Sequence, residues 1–399
     1  KLSIDDISSD KFDTAFTSLN GKTSLGFSQS TIWSRLSISN DSDKPAWYFR
    51  FLYPTTTQLT LFVPNNEGGF SKQTRSFHDK FSDRKVPDRL TNFHLQIPAG
   101  ENQVIYMRHI TNSTISFQSK ILSEREWIKS MVSETFYHAL FYGTLIVVIL
   151  ACLILVITSR STQYLYILVA CFGFIFTYGL FDGYIQVMFG VVPLFPFGII
   201  GVSLTVVSLM SYLRYITPEF YQKKAYTLSY YLICTFWLGL LVTNLFGVIN
   251  AYLFALVVLG YMGSIIYVLV LALVAFFSGN RQIRYLIVGL SFLVLGFISQ
   301  GLHVLGMFEN NVVGFEGGRL GVSILVLTMI VSMQDYIRQF QKNAEKSNEK
   351  FRAVFENMVD AIYMVNRSGE VLDVNPAAQI LEGLSTERLA GEAFITKSM

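Results

Sequence analysis

The sequence predicts a multidomain membrane protein: an all-β sandwich of jelly-roll type, then a bundle of seven membrane-spanning helices, then a coiled-coil helix leading into a partial α/β domain. Three observations predict it. Of 399 residues, 51% are hydrophobic and 15% charged, whereas a soluble domain carries roughly a quarter charged residues. The apolar residues are segregated, with 1–130 polar, 136–333 built of long apolar runs, and 334–399 polar again. The pattern also changes along the chain, from alternation to unbroken runs to a heptad. These changes divide the chain into 1–130, 131–333, 334–350 and 351–399.

The first stretch alternates as strands do. Within 46–54, Trp47, Phe49, Phe51 and Tyr53 fall on one face and Tyr48, Arg50 and Leu52 on the other. The period returns at Phe93, Leu95 and Ile97 and continues over 103–110 and 114–122. Turn signals stand at Pro98-Ala99-Gly100 and Thr111-Asn112-Ser113. Short strands at this spacing predict a two-layered sandwich. Cys152, Cys171 and Cys234 all lie in the apolar runs, so the sandwich is expected to fold without disulfides and the cysteines to serve as small buried hydrophobes.

A helix needs about 20 apolar residues to cross a bilayer. Runs of that kind occupy 136–158, 164–183, 194–216, 226–248, 252–278, 282–306 and 318–333. Lys and Arg set the orientation. Arg160, then Arg214, Lys223 and Lys224, then Arg281 and Arg284, then Arg338, Lys342, Lys346 and Lys350 occupy alternate connections and the tail. The intervening connections 184–193 and 249–251 carry no Lys or Arg. The N-terminus is therefore expected outside and the C-terminus in the cytoplasm, with a leader ahead of Lys1. No lysine lies between Lys224 and Lys342, which removes a retinal Schiff base. Asp182, His303, Glu309 and Glu316 sit near the outer ends of their spans, away from the mid-bilayer positions that transport favours. Asn244 and Gln300 lie deeper and read as interhelical hydrogen-bonding groups.

After the last span, Met333, Ile337, Phe340, Ala344, Ser347, Phe351, Val354 and Met358 recur at intervals of 4, 3, 4, 3, 4, 3, 4. That heptad predicts a signalling helix and a homodimer through it. From Phe351 onward the same helix could instead dock on its own domain. Ala344 and Ser347 weaken the seam midway, which suits an element with two arrangements.

Two resemblances emerge. Leu25-Gly26-Phe27, Trp33, Arg35, Leu36, Asn40, Trp47, Tyr53, Pro54, Arg84, Pro98, Ala99, Gly100 and Arg108, followed by seven spans, resemble the bacterial seven-transmembrane receptors with diverse intracellular signalling modules. The likeness covers roughly 1–335 and implies a bacterial inner membrane as the location. Residues 351–399, with a helix over 351–358, strands over 361–366 and 371–375, and Asn375-Pro376 opening a second helix, resemble the first part of a PAS domain. Such receptors are similar to carbohydrate-binding jelly rolls, so the implied ligand is a glycan or envelope fragment. Trp33, Arg35, Trp47, Tyr48, Arg50, Arg84 and Arg108 are the candidate ligand residues, since aromatic faces stack on sugar C–H surfaces and cations bind hydroxyls. The alternative reading puts Trp33, Trp47 and Phe49 in the sandwich core, with the arginines as solvated edge residues.

Paired carboxylates with a base, Cys/His metal spacing and phosphate loops are not found in the sequence. The histidines His78, His94, His138 and His303 stand alone, and 65–70 and 315–319 read as turn glycines. The residues present support no cofactor or metal, and the absence of a basic stripe excludes nucleic acid. The resemblance implies that output lies downstream, in a histidine kinase or a GGDEF diguanylate cyclase. A transporter with a regulatory PAS tail is the reading from another class.

Overall fold

The computed structural model describes residues 2–19, 24–27, 30–52, 57–65, 67–76, 79–84, 88–110, 114–159, 163–189, 194–246, 251–304, 312–367 and 370–383. It divides into two compact units, 1–333 and 334–399.

The first unit begins with a short helix, α1 (Ile4–Ile7), closed at its N-terminus by reciprocal Ser3 and Asp6 bonds. Nine strands follow: β1 (Ser24–Phe27), β2 (Ile32–Ser39), β3 (Ala46–Phe51), β4 (Gln58–Pro64), β5 (Phe70–Ser76), β6 (Thr91–Gln96), β7 (Asn102–Ile110), β8 (Thr114–Ser116) and β9 (Ser119–Leu122). They pair antiparallel into a four-stranded sheet ordered β2-β7-β4-β5, a three-stranded sheet ordered β6-β3-β9, and a β1-β8 pair. The alternation read from the sequence is the reason. Phe49 and Phe51 of β3, Leu59 and Leu61 of β4, and Phe93 and Leu95 of β6 are fully enclosed between the sheets. Each such side chain contributes about 1.5–3 kcal/mol on leaving water. Trp47 packs against this core and donates its indole N–H to the Lys44 carbonyl at 3.0 Å, so Trp47 and Phe49 play the core part of the two readings.

The bundle is built from α2 (Glu124–Ser159), α3 (Tyr164–Phe181), the short α4 (Tyr184–Phe189), α5 (Leu194–Ile216), α6 (Lys224–Leu245), α7 (Ala251–Phe277), α8 (Arg284–Val304) and α9 (Val312–Asn357). Seven of these are long and apolar enough to cross a membrane, and the chain is a multi-pass membrane protein. The expected runs are all found. Two differ in extent: α2 starts well before its apolar run, at the capping box Ser123–Glu126, and α9 continues through 46 residues, about 70 Å at 1.5 Å per residue. The connection 184–193 contains α4, where no helix was expected. His78, the side chain of His303, Glu309, Tyr53, Pro54 and 389–391 lie outside what is described.

Small residues set the helix spacing. A Cβ on Gly173 of α3 would stand 2.8 Å from the Gly201 carbonyl oxygen of α5, and one on Gly201 would stand 2.9 Å from the Gly173 oxygen. The contact is reciprocal, with Thr177 and Thr205 one turn further along each helix bonding back to those same carbonyls at 2.9 and 3.0 Å. Gly321 of α9 lies equally close to the Phe292 carbonyl of α8. The most enclosed span is α5, and its Tyr212 hydroxyl donates to the Met329 carbonyl of α9 at 2.9 Å.

The second unit continues α9 and adds strands β10 (Tyr363–Val365) and β11 (Val371–Val374), antiparallel, and helix α10 (Pro376–Glu382). Asn375 is the N-cap expected there. Its side-chain oxygen accepts from Ala378 N at 3.0 Å and Ile362 N at 2.8 Å, and its amide donates to the Asp360 carbonyl. Gly383 ends the helix at φ +66°. Phe340, Phe351 and Val354 of the heptad are exposed, and an apolar groove of about 340 Å³ is lined by Phe351, Val354, Phe355, Met358, Ile362 and Tyr363.

Candidate functional site

Because β3 alternates, the residues opposite its core face, Tyr48 and Arg50, are turned toward α2. Trp127, Ser130 and Glu134 recur at three and four residues on that helix and form one face. Tyr48 stacks on Trp127 with ring centroids 4.6 Å apart. Arg50 is fully buried and uses all five of its N–H donors. Nε donates to Asp88 Oδ2 at 2.9 Å, Nη1 to Ser130 at 3.0 Å and Glu134 Oε1 at 2.6 Å, and Nη2 to Glu134 Oε2 at 3.0 Å and Asp88 Oδ1 at 3.4 Å. Asp88 also accepts from Asn92, Trp127 and its neighbour Leu90. Burial alone would raise the Asp88 carboxyl, but the Arg50 charge and these bonds outweigh it and hold the group below the usual carboxylate range. Arg84 donates to the carbonyls of Asp88 and Arg89 at 2.7 and 3.1 Å, fixing the loop.

The charges continue into the bundle. Glu134 accepts from Arg89 Nη2 at 2.5 Å, and Arg89 Nη1 donates to the Asp182 carbonyl at 2.9 Å. Asp182 caps α3 and is followed by Gly183 at φ +82°. A Cβ there would meet the Arg89 carbonyl oxygen at 3.0 Å, so glycine serves both the left-handed turn and the close approach of the β domain. The Asp182 carboxylate accepts from the Tyr142 hydroxyl at 2.7 Å and from Arg319 Nη2. Arg319 Nη1 donates to Glu316 at 2.7 Å. His138 bonds Tyr184 through Nδ1 at 3.1 Å, and its ring nitrogens stand 4.0 Å from Asp182 and 3.8 Å from Glu316. Ser130, Glu134, His138 and Tyr142 recur every fourth residue, a polar stripe along α2.

The result is one connected set, Asp88–Arg50–Glu134–Arg89–Asp182–Arg319–Glu316, joining the β domain, α2, the end of α3 and the start of α9. Arg84 brings a further positive charge beside Asp88. Every charge has a partner, as burial of ions in low dielectric demands. Chemically it offers no nucleophile or open metal site. It can transmit movement, because Arg50, Glu134, Arg89 and Asp182 are each bonded to an element other than their own.

The seven candidate ligand residues therefore separate into groups. Tyr48, Arg50 and Arg84 are committed to this joint, and Arg50 is closed off from solvent, which corrects the expectation that it lies on an open face or a solvated edge. Trp47 lines the core. Trp33, Arg35 and Arg108 share the face of the four-stranded sheet that points away from the core, where Trp33 pairs with Arg108 and Arg35 with Tyr106 across β2 and β7. Trp33 stacks on Phe62 at 5.4 Å under the Arg108 guanidinium, and Arg35 pairs with Asp13 and lies over Phe16. The sequence reading missed Asp88, Arg89, Glu134 and Arg319. The available signal was the four-residue repeat of polar groups entering α2, together with an arginine inside the last apolar run.

Three family models match the chain. They are 7TMR-DISM extracellular 2 over residues 1–123, 7TM diverse intracellular signalling over 134–336, and the PAS fold over 349–396. The second spans more than half of the 399 residues. Nothing matches among curated proteins or solved structures.

Proposed function

The chain belongs to the 7TM diverse intracellular signalling family, and we propose that it senses a carbohydrate or envelope-derived ligand outside the cell and relays that event through the bundle to PAS and a histidine kinase. The observation that carries the reading is the connected charge set, which gives the β domain a grip on the start of α9, the helix that ends at Asn357 just ahead of the PAS strands. On this reading the ligand face is the one bearing Trp33, Arg35 and Arg108. The positive charge of alternate connections supports an N-terminus outside and a C-terminus in the cytoplasm, and the family likeness supports a bacterial inner membrane. The exposed heptad residues Phe340, Phe351 and Val354 form the homodimer seam, and 1–130, 131–333, 334–350 and 351–399 act as sensor, bundle, signalling helix and PAS. A GGDEF cyclase is the second output, supported by the same PAS likeness.

The test is titration calorimetry of the chain in nanodiscs with peptidoglycan fragments, periplasmic glucans and exopolysaccharide. Heat that is abolished by Arg108→Ala supports the glycan face. Flat titrations with all three would sink it. Parallel flux measurements in proteoliposomes separate receptor from transporter, since a receptor gives no flux.

A further inference from the structure

We infer that Asp182 is the switchable pin of the joint: the β domain holds its main chain, α9 holds its carboxylate through Arg319, and a change of state opens the Asp182–Arg319 pair. The inference rests on the receptor reading and names the contact through which that receptor would act.

Asp182 is gripped from three directions. Arg89 of the β domain donates to its carbonyl at 2.9 Å, and the Arg89 carbonyl closes over Gly183. Tyr142 of α2 donates to its carboxylate, and so does Arg319 of α9. A displacement of the Arg89 loop therefore reaches the carboxylate that seats α9 without passing through any side chain other than these. Both partners of the pair also have a fallback. Arg319 keeps Glu316, three residues away on its own helix, at 2.7 Å. Asp182 keeps the Tyr142 hydroxyl at 2.7 Å and has the His138 ring at 4.0 Å. An ordinary buried ion pair leaves stranded charges when it parts, whereas here each group keeps a partner that it already holds, Glu316 for Arg319 and Tyr142 for Asp182. A pair that parts without losing every partner suits a two-state element. Arg50, by contrast, has every donor engaged with Asp88, Ser130 and Glu134, and acts as the fixed side of the joint.

The experiment is pulsed electron paramagnetic resonance on the full chain in lipid nanodiscs. Labels go on Ser37→Cys in β2 and Leu320→Cys in α9, both exposed positions, with the three native cysteines replaced by alanine. The parent should give one narrow distance distribution. Asp182→Asn and Arg319→Gln should add a second, longer population, and the exchanged pair Asp182→Arg with Arg319→Asp should return the distribution toward the parent. Arg89→Met, which leaves the bundle pair intact, should produce the same second population as Asp182→Asn. Parent-like distributions in Arg89→Met and in the single variants, or an exchanged pair that elutes monodisperse yet keeps the second population, would overturn the inference. The distances need neither ligand nor output, so this failure is distinct from failure of the receptor reading.

Discussion

Two arginines of the β domain make the same kind of ion pair under opposite conditions, and their removal should differ accordingly. Arg50 and Asp88 are 1% and 2% exposed, and Glu134 shares the guanidinium. Arg50→Met takes away five donated bonds, leaves the buried Asp88 carboxylate without its ion-pair partner, and leaves Glu134 with Arg89 alone. Breaking a buried pair in this way costs about 3–5 kcal/mol. At about 4 °C per kcal/mol for a domain of this size, that is a fall of about 10–20 °C in the midpoint of the β domain. Arg50→Lys should recover little, because an ammonium has three donors and cannot fork to two carboxylates at once. Arg35, paired with Asp13 at the surface, should lose almost nothing on the same substitution to methionine. The assay is tryptophan fluorescence during thermal unfolding in detergent, in a Trp237→Phe background so that Trp33, Trp47 and Trp127 are read. Salt sharpens it: 1 M NaCl screens the Arg35 pair but reaches the Arg50 set poorly. An Arg50→Met midpoint within about 4 °C of the parent, equivalent to about 1 kcal/mol, would refute the claim that this set holds the domain to α2.

His109 is buried beside Phe51 and Phe117, with its Nε2 3.1 Å from the Ser34 hydroxyl, and burial pushes its pKa down to about 4. The unfolded imidazole titrates near 6.5, so the unfolded chain binds the extra proton first. The stability from keeping this ring neutral is complete above about pH 6.5 and is lost as pH falls toward 4, by about 3 kcal/mol in all. His109→Phe should flatten that slope in denaturation measured from pH 7 to 4, and an unchanged slope would assign it to other groups. In the bundle, Gly173→Ala should cost about 1–3 kcal/mol, because the added methyl meets the backbone of Gly201 and Thr205, which cannot swing aside. Differential scanning fluorimetry checks it, and Gly239→Ala, with open space around it, is the control.

The elements were legible where one physical term dominates. Unbroken apolar runs mark the seven spans because backbone in lipid must satisfy itself within a helix. Alternation marks β3 because one of its faces is the core. Asn375-Pro376-Ala377-Ala378 marks its helix start because the cap needs only local bonds. The joint was much less legible. From sequence, Arg50 and Arg108 are alike, each directly following a large apolar residue, Phe49 or Met107, on an alternating strand. Only the fold brings Asp88 and Glu134 to one of them and Trp33 to the other. Asp182 and Glu316 were recognised as ionisable groups near span ends, but the arginines that grip Asp182, Arg89 and Arg319, stand 93 and 137 residues from it in sequence, and no period spans such separations. The early start of α2 was readable from Ser-x-x-Glu at 123–126, and the apolar-run criterion passes over it because these residues are polar.

The seam between Gly173 and Gly201 has the opposite character to the joint. Each threonine hydroxyl beside it is satisfied within its own helix, so the seam carries no bond that water, a proton or an ion could take over. Its cohesion at these glycines is contact, and further along the pair Ser208 of α5 donates to the Tyr166 carbonyl of α3. The bundle thus has a part held by charge and a part held by shape. Substitutions that loosen Asp182 from Arg319 should leave α3 and α5 travelling as a single body.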